Sequence, residues 1–180
     1  MSSLNKWQLS SSKVIFHSKI FTIESHWATN PRNGVSDEFY SAKFPDWVNV
    51  IALTPEEEVL LIRHFRHGTR KFEIEVPGGC IDKGENPLHA AVRELAEETG
   101  YSGDLPILLG QLSPNPSLQD NSCYTVLINN CQQTQAMNLD DGEDIEVFKV
   151  SLAEVKDLIF NGKISNTMVV SAFYFLQNMS

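Results

Sequence analysis

Between Gly79 and Tyr101 the chain reads GCIDKGENPLHAAVRELAEETGY, a segment whose ends and faces both specify a helix. Asn86 suits the N-cap, Pro87 the first helical position, and Gly100 the left-handed residue that closes a helix. Leu88, Ala91, Val92 and Leu95 recur at intervals of three and four, which predicts an apolar stripe docked on a core. Another face carries Glu94, Glu97 and Glu98, so three carboxylates project close together. Like charges at such spacing cost roughly 0.2–0.5 kcal/mol per pair, and Glu97 and Glu98 also meet the negative end of the helix dipole. One reading is a solvated acidic face, eased by Arg93 through its i+4 neighbour Glu97. One cation does not balance three anions, however. A hard divalent ion suits such a set of oxygens, since Mg²⁺ takes one or two carboxylates, several waters and a substrate phosphate. The metal reading is preferred.

The rest of the chain bounds where such a site can act. With 180 residues, 42% of them hydrophobic, it can bury a real core. A net charge of −9 argues against binding nucleic acid or an anionic membrane surface, so any phosphate site must be local. Cys80, Cys123 and Cys131 have no metal-type spacing, and their odd number suits free thiols in a reducing compartment. The opening MSSLNKWQLSSSK has no apolar signal core, and no later run is long enough to span a membrane. A cytoplasmic protein is expected.

Strand-type segments precede the helix. Val14 to Glu24 reads as strand, with a hairpin turn near Ser18 and Lys19, and Glu38 to Ala42 as a partner beyond the turn-forming NPRNG. Val48–Leu53, Val59–Arg66 and Phe72–Val76 follow. In the last, Phe72, Ile74 and Val76 are expected on one face and Glu73 and Glu75 on the other. The period of two also separates His64 from His67, which disfavours a joint metal site. Arg66, Arg70 and Lys71 make a basic cluster suited either to phosphate or to nearby glutamates. Pro77-Gly78-Gly79 allows a tight turn or a carbonyl aimed at a metal.

Beyond the helix, Leu105–Leu112 and Cys123–Ile128 read as strands around the loop Ser113–Asn121. Leu139–Glu146 reads as an acidic turn, and two helices follow, begun by a Ser151/Glu154 capping box and by Asn166. Strands followed by isolated helices predict an α+β, layered α/β/α domain around a mixed central sheet, with an N-terminal antiparallel strand region.

The helix segment matches the Nudix box, G-x5-E-x7-R-E-U-x-E-E-x-G-U, at Gly79, Glu85, Arg93, Glu94, Leu95, Glu97, Glu98 and Gly100, with Tyr101 at the final hydrophobic position. The order of features along nearly the whole chain resembles the ADP-ribose and nucleoside-diphosphate-sugar pyrophosphatases of that family. The resemblance implies a sandwich fold, with a dimer-forming β region over residues 1–45 and the hydrolase domain over 46–180. It implies hydrolysis of NDP-X to NMP and X-phosphate with Mg²⁺, Mn²⁺ being a possible substitute. Glu94 and Glu98 would be metal ligands, Glu97 a ligand or support, and the Gly78 carbonyl a further ligand. Glu143, with Asp141 behind it, would supply another ligand or the general base. Arg66 and Arg70 would bind substrate, as would Pro116 in the loop beyond the box. Glu85 and Arg93 would pair structurally beside Gly79. A homodimer is implied as well. Rival readings are a nucleotide-sugar sensor without turnover, a nucleoside triphosphate hydrolase and an isomerase. Trp27, Tyr40 and Trp47 are aromatic candidates for stacking on a base.

Overall fold

A computed structural model of the protein describes residues 4–179. In chain order its strands are β1 (Gln8–Leu9), β2 (Lys13–His17), β3 (Thr22–Thr29), β4 (Ser36–Lys43), β5 (Trp47–Ala52), β6 (Glu58–Arg66), β7 (Lys71–Glu75) and β8 (Gly78–Cys80). After helix α1 (Pro87–Thr99) come β9 (Tyr101–Ser102), β10 (Ile107–Leu112), β11 (Cys123–Ile128), β12 (Gln132–Gln133) and β13 (Ile145–Ser151). Helices α2 (Leu152–Phe160) and α3 (Thr167–Gln177) close the described chain. No helix among the described residues is long and apolar enough to cross a membrane.

The residues form two compact units. The first holds the described residues up to Pro45 together with Ser113–Asn121. In it β3 pairs antiparallel with β1, β2 and β4, and its register with β4 runs from Thr22 opposite Lys43 to Thr29 opposite Ser36. The turn between β3 and β4 needs Gly34, whose φ of +71° is open to glycine and strained for most other residues. The Ser113–Asn121 loop belongs here because the Ala42 N–H donates to the Leu118 carbonyl at 2.7 Å and Lys43 pairs with Asp120 at 2.5 Å.

The second unit holds the mixed sheet, in the order β10-β11-β5-β8, with β11 and β5 parallel and the other pairs antiparallel. A three-stranded antiparallel sheet, β13-β6-β7, lies in the same unit. Alternation along β5 sets the layers. Val48, Val50 and Ala52 cluster with Ala90, Ala91 and Leu95 of α1, whereas Ile51 joins Val155 of α2 and Val169, Ala172 and Phe173 of α3. Helices therefore cover both faces, and each fully buried Val, Leu or Ile contributes about 1.5–3 kcal/mol. Both terminal helices start where their caps predict: Ser151 accepts from the Glu154 N–H and Asn166 from the Met168 N–H.

Three expectations change. Val92 is 41% exposed and Ala90 takes its place in the core, so α1 is rotated from the predicted stripe and brings Glu94 and Glu98 to its buried side. The glutamates therefore do not form a solvated face. Phe72 is exposed and Glu75 buried, because Phe72 lies against Phe65 at the end of the β6–β7 ribbon while Glu75 meets Arg66. The segment after the acidic turn is a seven-residue strand paired with β6, from Ile145 opposite His64 to Ser151 opposite Glu58.

Candidate active site

The helix, its preceding turn and two loops enclose an acidic cavity of about 800 Å³. Helix α1 begins where Asn86 accepts from the Leu88 N–H and ends at Gly100, with φ +75° and its N–H bonded to Ala96. Those caps fix the ends of the helix, and Glu94, Glu97 and Glu98 all line the cavity.

Opposite the helix, β8 pairs with β5 so closely that a Cβ on Gly78 would run into the Val48 carbonyl oxygen. A Cβ on Gly79 would lie 2.5 Å from Glu94 Oε1, so the Glu94 carboxylate rests over bare backbone. The first glycine of the box, Gly79, and the glycine before it are thus explained by contact. The Gly78 N–H donates to Glu98 Oε2 at 2.8 Å.

Arg93 is the hub of the cluster. Its Nε and Nη2 donate to the two oxygens of Glu85 at 3.0 and 2.8 Å, and Nη2 also reaches the Cys80 carbonyl at 3.1 Å. Nη1 donates to Glu94 Oε1 at 2.9 Å and to Glu97 Oε2 at 3.1 Å. The hydrogen bond to Glu85 leads in raising the Arg93 pKa, and the same bond lowers that of Glu85. The guanidinium ties the turn before the helix to the helix itself.

The two buried acids behave differently. Burial, reinforced by Glu94 and Glu143, pushes the Glu98 pKa up to about 8 against the opposing Gly78 N–H and Arg66. Glu94 is also raised, by burial first, with Arg93 opposing and Glu97 and Glu143 adding to the rise. Oxygen donors that are desolvated and mutually repelling gain most from a bound divalent cation, so this donor set fits Mg²⁺. Among the described residues no three His, Cys, Asp or Glu side chains converge as a complete cage. Arg93 engages Glu94 and Glu97, and Glu98 turns to Gly78. Mg²⁺ needs no full cage, because waters and phosphate complete its octahedron.

Arg66 also lines the cavity, and its guanidinium forms two bonds with the buried Glu75. Glu143 lines the cavity from the acidic loop, where its carboxylate accepts the Asp140 N–H at 3.0 Å. Asp141 does not line it, whereas Asp140 and Asp144 do. Arg70 sits in the turn after β6 with φ +57°, off the cavity wall. Pro116 belongs to the first unit, where it lines a hollow with Trp7 and Tyr40. The chain leaves the β6 ladder at Arg66, so His64 and His67 both face the cavity despite the period of two. Cys80 and Asp82 occupy variable positions within the box, and Asn138, far beyond it in sequence, carried no signal.

Comparison with known proteins agrees with this geometry. The family model described as NUDIX domain matches residues 43–168. The chain is 28% identical over 146 residues to an ADP-ribose pyrophosphatase from Bacillus subtilis, covering 81% of this chain and 79% of that one. It is 27% identical over 177 residues to the ADP compounds hydrolase NudE of Escherichia coli, covering 97% and 94% of the two chains. A crystal structure of an ADP compounds hydrolase superposes with a TM-score of 0.87 at 26% identity, over 98% of this chain and 95% of that one. With the match spanning the helix, the strands that carry Arg66 and Gly78, and the acidic loop, the chain belongs to the NUDIX domain family of hydrolases.

Proposed function

We propose that the protein hydrolyses the diphosphate linkage of a nucleoside diphosphate sugar, such as ADP-ribose or GDP-mannose, to a nucleoside monophosphate and a sugar phosphate. The observation that carries the proposal is the gathering of the Glu94–Glu97–Glu98 carboxylates and the Arg66 guanidinium around one cavity. A diphosphate needs cationic partners, and on the carboxylate side the Arg93 guanidinium is already engaged by Glu85, Glu94 and Glu97. Relatives described as hydrolysing ADP-ribose or ADP compounds support the substrate class.

Glu94, Glu98 and the Gly78 carbonyl would hold Mg²⁺, with Glu97 and Glu143 as further ligands or supports. When bound, the ion supplies charge neutralisation of the diphosphate and a more acidic water. Arg66 would bind a phosphate oxygen through the N–H groups that Glu75 leaves unused, and Glu75 would hold it in orientation. Glu143, on a loop at the cavity wall, would take the proton of the attacking water at its carboxylate. Arg93 and Glu85 would keep the turn against the helix and so keep Gly78 in place. Arg70, which lies off this wall, and Pro116, in the other unit, keep a place in the proposal only as the substrate contacts that the family resemblance implies.

A homodimer belongs to the same proposal. The first unit exposes Val14, Phe16, Trp27, Phe39 and Tyr40, an apolar surface that a second copy of the chain would cover. Residues 1–45 would then be the dimer-forming region. The free Cys80, Cys123 and Cys131 suit a cytoplasmic location. The test is product release from a panel of nucleotide sugars, NADH, diadenosine polyphosphates and deoxynucleoside triphosphates, with and without Mg²⁺, alongside a light-scattering mass. Metal-dependent cleavage of nucleotide sugars is expected. Binding of one panel member without turnover would replace hydrolysis with sensing.

A further inference from the structure

On β6 the residues Ile62, His64 and Arg66 share one face, by the strand's period of two. The antiparallel register sets them opposite Glu75, Glu73 and Lys71 of β7, in that order. Arg66 nevertheless bonds to Glu75, which stands opposite Ile62 at the far end of this series. Four residues of strand span about 13 Å, so the Arg66 side chain has to run back along the ribbon and pass the rung of His64. Left to itself, an arginine at the end of a ribbon would turn to solvent, where more of its rotamers are open.

His64 occupies the rung between the two partners of this ion pair. Its side chain is 12% exposed, and its Nε2 lies 3.7 Å from Glu75 Oε2, inside ion-pair range and beyond a hydrogen bond. That nitrogen is buried without a hydrogen-bond partner. A buried unpaired nitrogen disfavours the fold, so its presence there calls for a reason other than stability.

Glu75 supplies one. Its carboxylate has about four acceptor sites, of which Arg66 fills one on each oxygen. Against the effect of burial, His64, Arg66 and Asn166 keep it ionised. Glu73, Glu75 and Asn166 line a second cavity of about 500 Å³, His64 lines the acidic one, and Arg66 lines both. His64 thus flanks the pair on the side where Arg66 presents its unused N–H groups. We infer that His64 is a positioning residue, which from the rung between Arg66 and Glu75 holds the carboxylate toward Arg66 and so keeps the guanidinium folded back at the acidic cavity. It touches no reacting atom. Its effect on hydrolysis rests on the reading of Arg66 as the phosphate contact, whereas the positioning itself rests on the ribbon alone.

The experiment follows the Arg66 Nε–H by ¹⁵N–¹H NMR in the full-length protein without metal or substrate. A guanidinium N–H held by a buried carboxylate exchanges slowly with water, and Arg66→Lys identifies its signal by removing it. The signal should be present in wild type and in His64→Gln, whose amide can donate to Glu75. In His64→Leu and His64→Phe it should exchange about 10-fold faster, because the pair opens more often. Both substitutions remove the nitrogen and one leaves a ring, so the result does not depend on how either packs. No Arg66 signal in the wild type, unchanged exchange in both variants, or failure of glutamine to preserve the signal would overturn the inference. Hydrolysis is read separately. KM should rise about 5-fold in His64→Leu with kcat and the Mg²⁺ requirement little changed, the pattern of lost uniform binding. Adding Arg66→Ala should cancel that difference, and a KM effect that persists beside it would overturn the inference. Faster exchange with an unchanged KM, or a wild type that cleaves no nucleotide sugar, would keep the positioning and refute the proposed role of Arg66 or the proposed reaction.

Discussion

Arg66 and Glu75 meet through two hydrogen bonds of 3.1 and 2.8 Å, with the Glu75 side chain 6% exposed and the Arg66 side chain 47% exposed. The buried partner fixes the orientation of the exposed one, at a point where both cavities share a wall. Arg66 is therefore presented to a ligand with its side-chain entropy already spent.

The pair makes stability depend on pH in a defined window. Burial alone would raise the Glu75 carboxyl, but His64 and Arg66 outweigh it and hold the pKa at about 2, against an ordinary 4.5. Arg66 is the hydrogen-bonded partner, while His64 Nε2, at 3.7 Å, is an ion-pair neighbour only when protonated. A depressed carboxyl stabilises the fold fully above its unfolded value and loses that contribution as pH falls from about 4.5 towards 2. Glu75→Gln should cost on the order of 2 kcal/mol at pH 7, after allowance for the exposed guanidinium. Urea titrations should show the gap from wild type narrowing below pH 4.5. A gap that stays constant to pH 3 would contradict the pairing.

Glu98→Gln removes a buried carboxyl whose charge is poorly solvated. Hydrolysis should fall by about 100-fold or more while the fold survives, since a glutamine amide occupies the same space. Thermal melts give an independent reading: millimolar Mg²⁺ should raise the wild-type Tm, and EDTA should reverse the rise. The variant should show neither shift. An equal rise in both proteins would remove Glu98 from the proposed ligand set.

Arg93→Ala breaks five hydrogen bonds and leaves Glu85, Glu94 and Glu97 facing one another without their cation. A loss of about 3 kcal/mol is expected, as for other partly buried charge networks stripped of one partner. Arg93→Lys should recover less than half of it, because an ammonium cannot reproduce the two-oxygen fork to Glu85. Denaturant unfolding of the three proteins measures this, and full recovery by lysine would sink the fork argument.

At Gly79, an alanine Cβ would displace the Glu94 carboxylate and leave the backbone path open. Gly79→Ala should therefore retain its circular dichroism spectrum and lose activity about 10-fold, with a higher Mg²⁺ requirement. Unchanged Mg²⁺ dependence would show that Glu94 has no part in holding the ion.

Much of this arrangement was legible in the sequence because it rests on local rules. Asn86, Pro87 and Gly100 bound α1 through backbone chemistry alone, and the spacing of Glu94, Glu97 and Glu98 follows from the helical repeat. The phase of α1 against the core was less legible, since Ala90 and Val92 are equally apolar and only tertiary packing decides which is buried. Glu75 was hidden by a strand alternation that looked regular, and the partner that allows its burial, Arg66, lies nine residues away. The strand Ile145–Ser151 was masked by the run of acids before it. His64 carried no signal within VLLIRHFR, because its place between Arg66 and Glu75 exists only once β6 and β7 pair.

The most direct test is product analysis for ADP-ribose and GDP-mannose incubated with wild type, Glu98→Gln and no enzyme, each with and without Mg²⁺. The account predicts nucleoside monophosphate and sugar phosphate from wild type with Mg²⁺, and little from any other condition. Equal cleavage by Glu98→Gln, or cleavage by wild type that persists in EDTA, would contradict a metal-dependent reaction centred on α1.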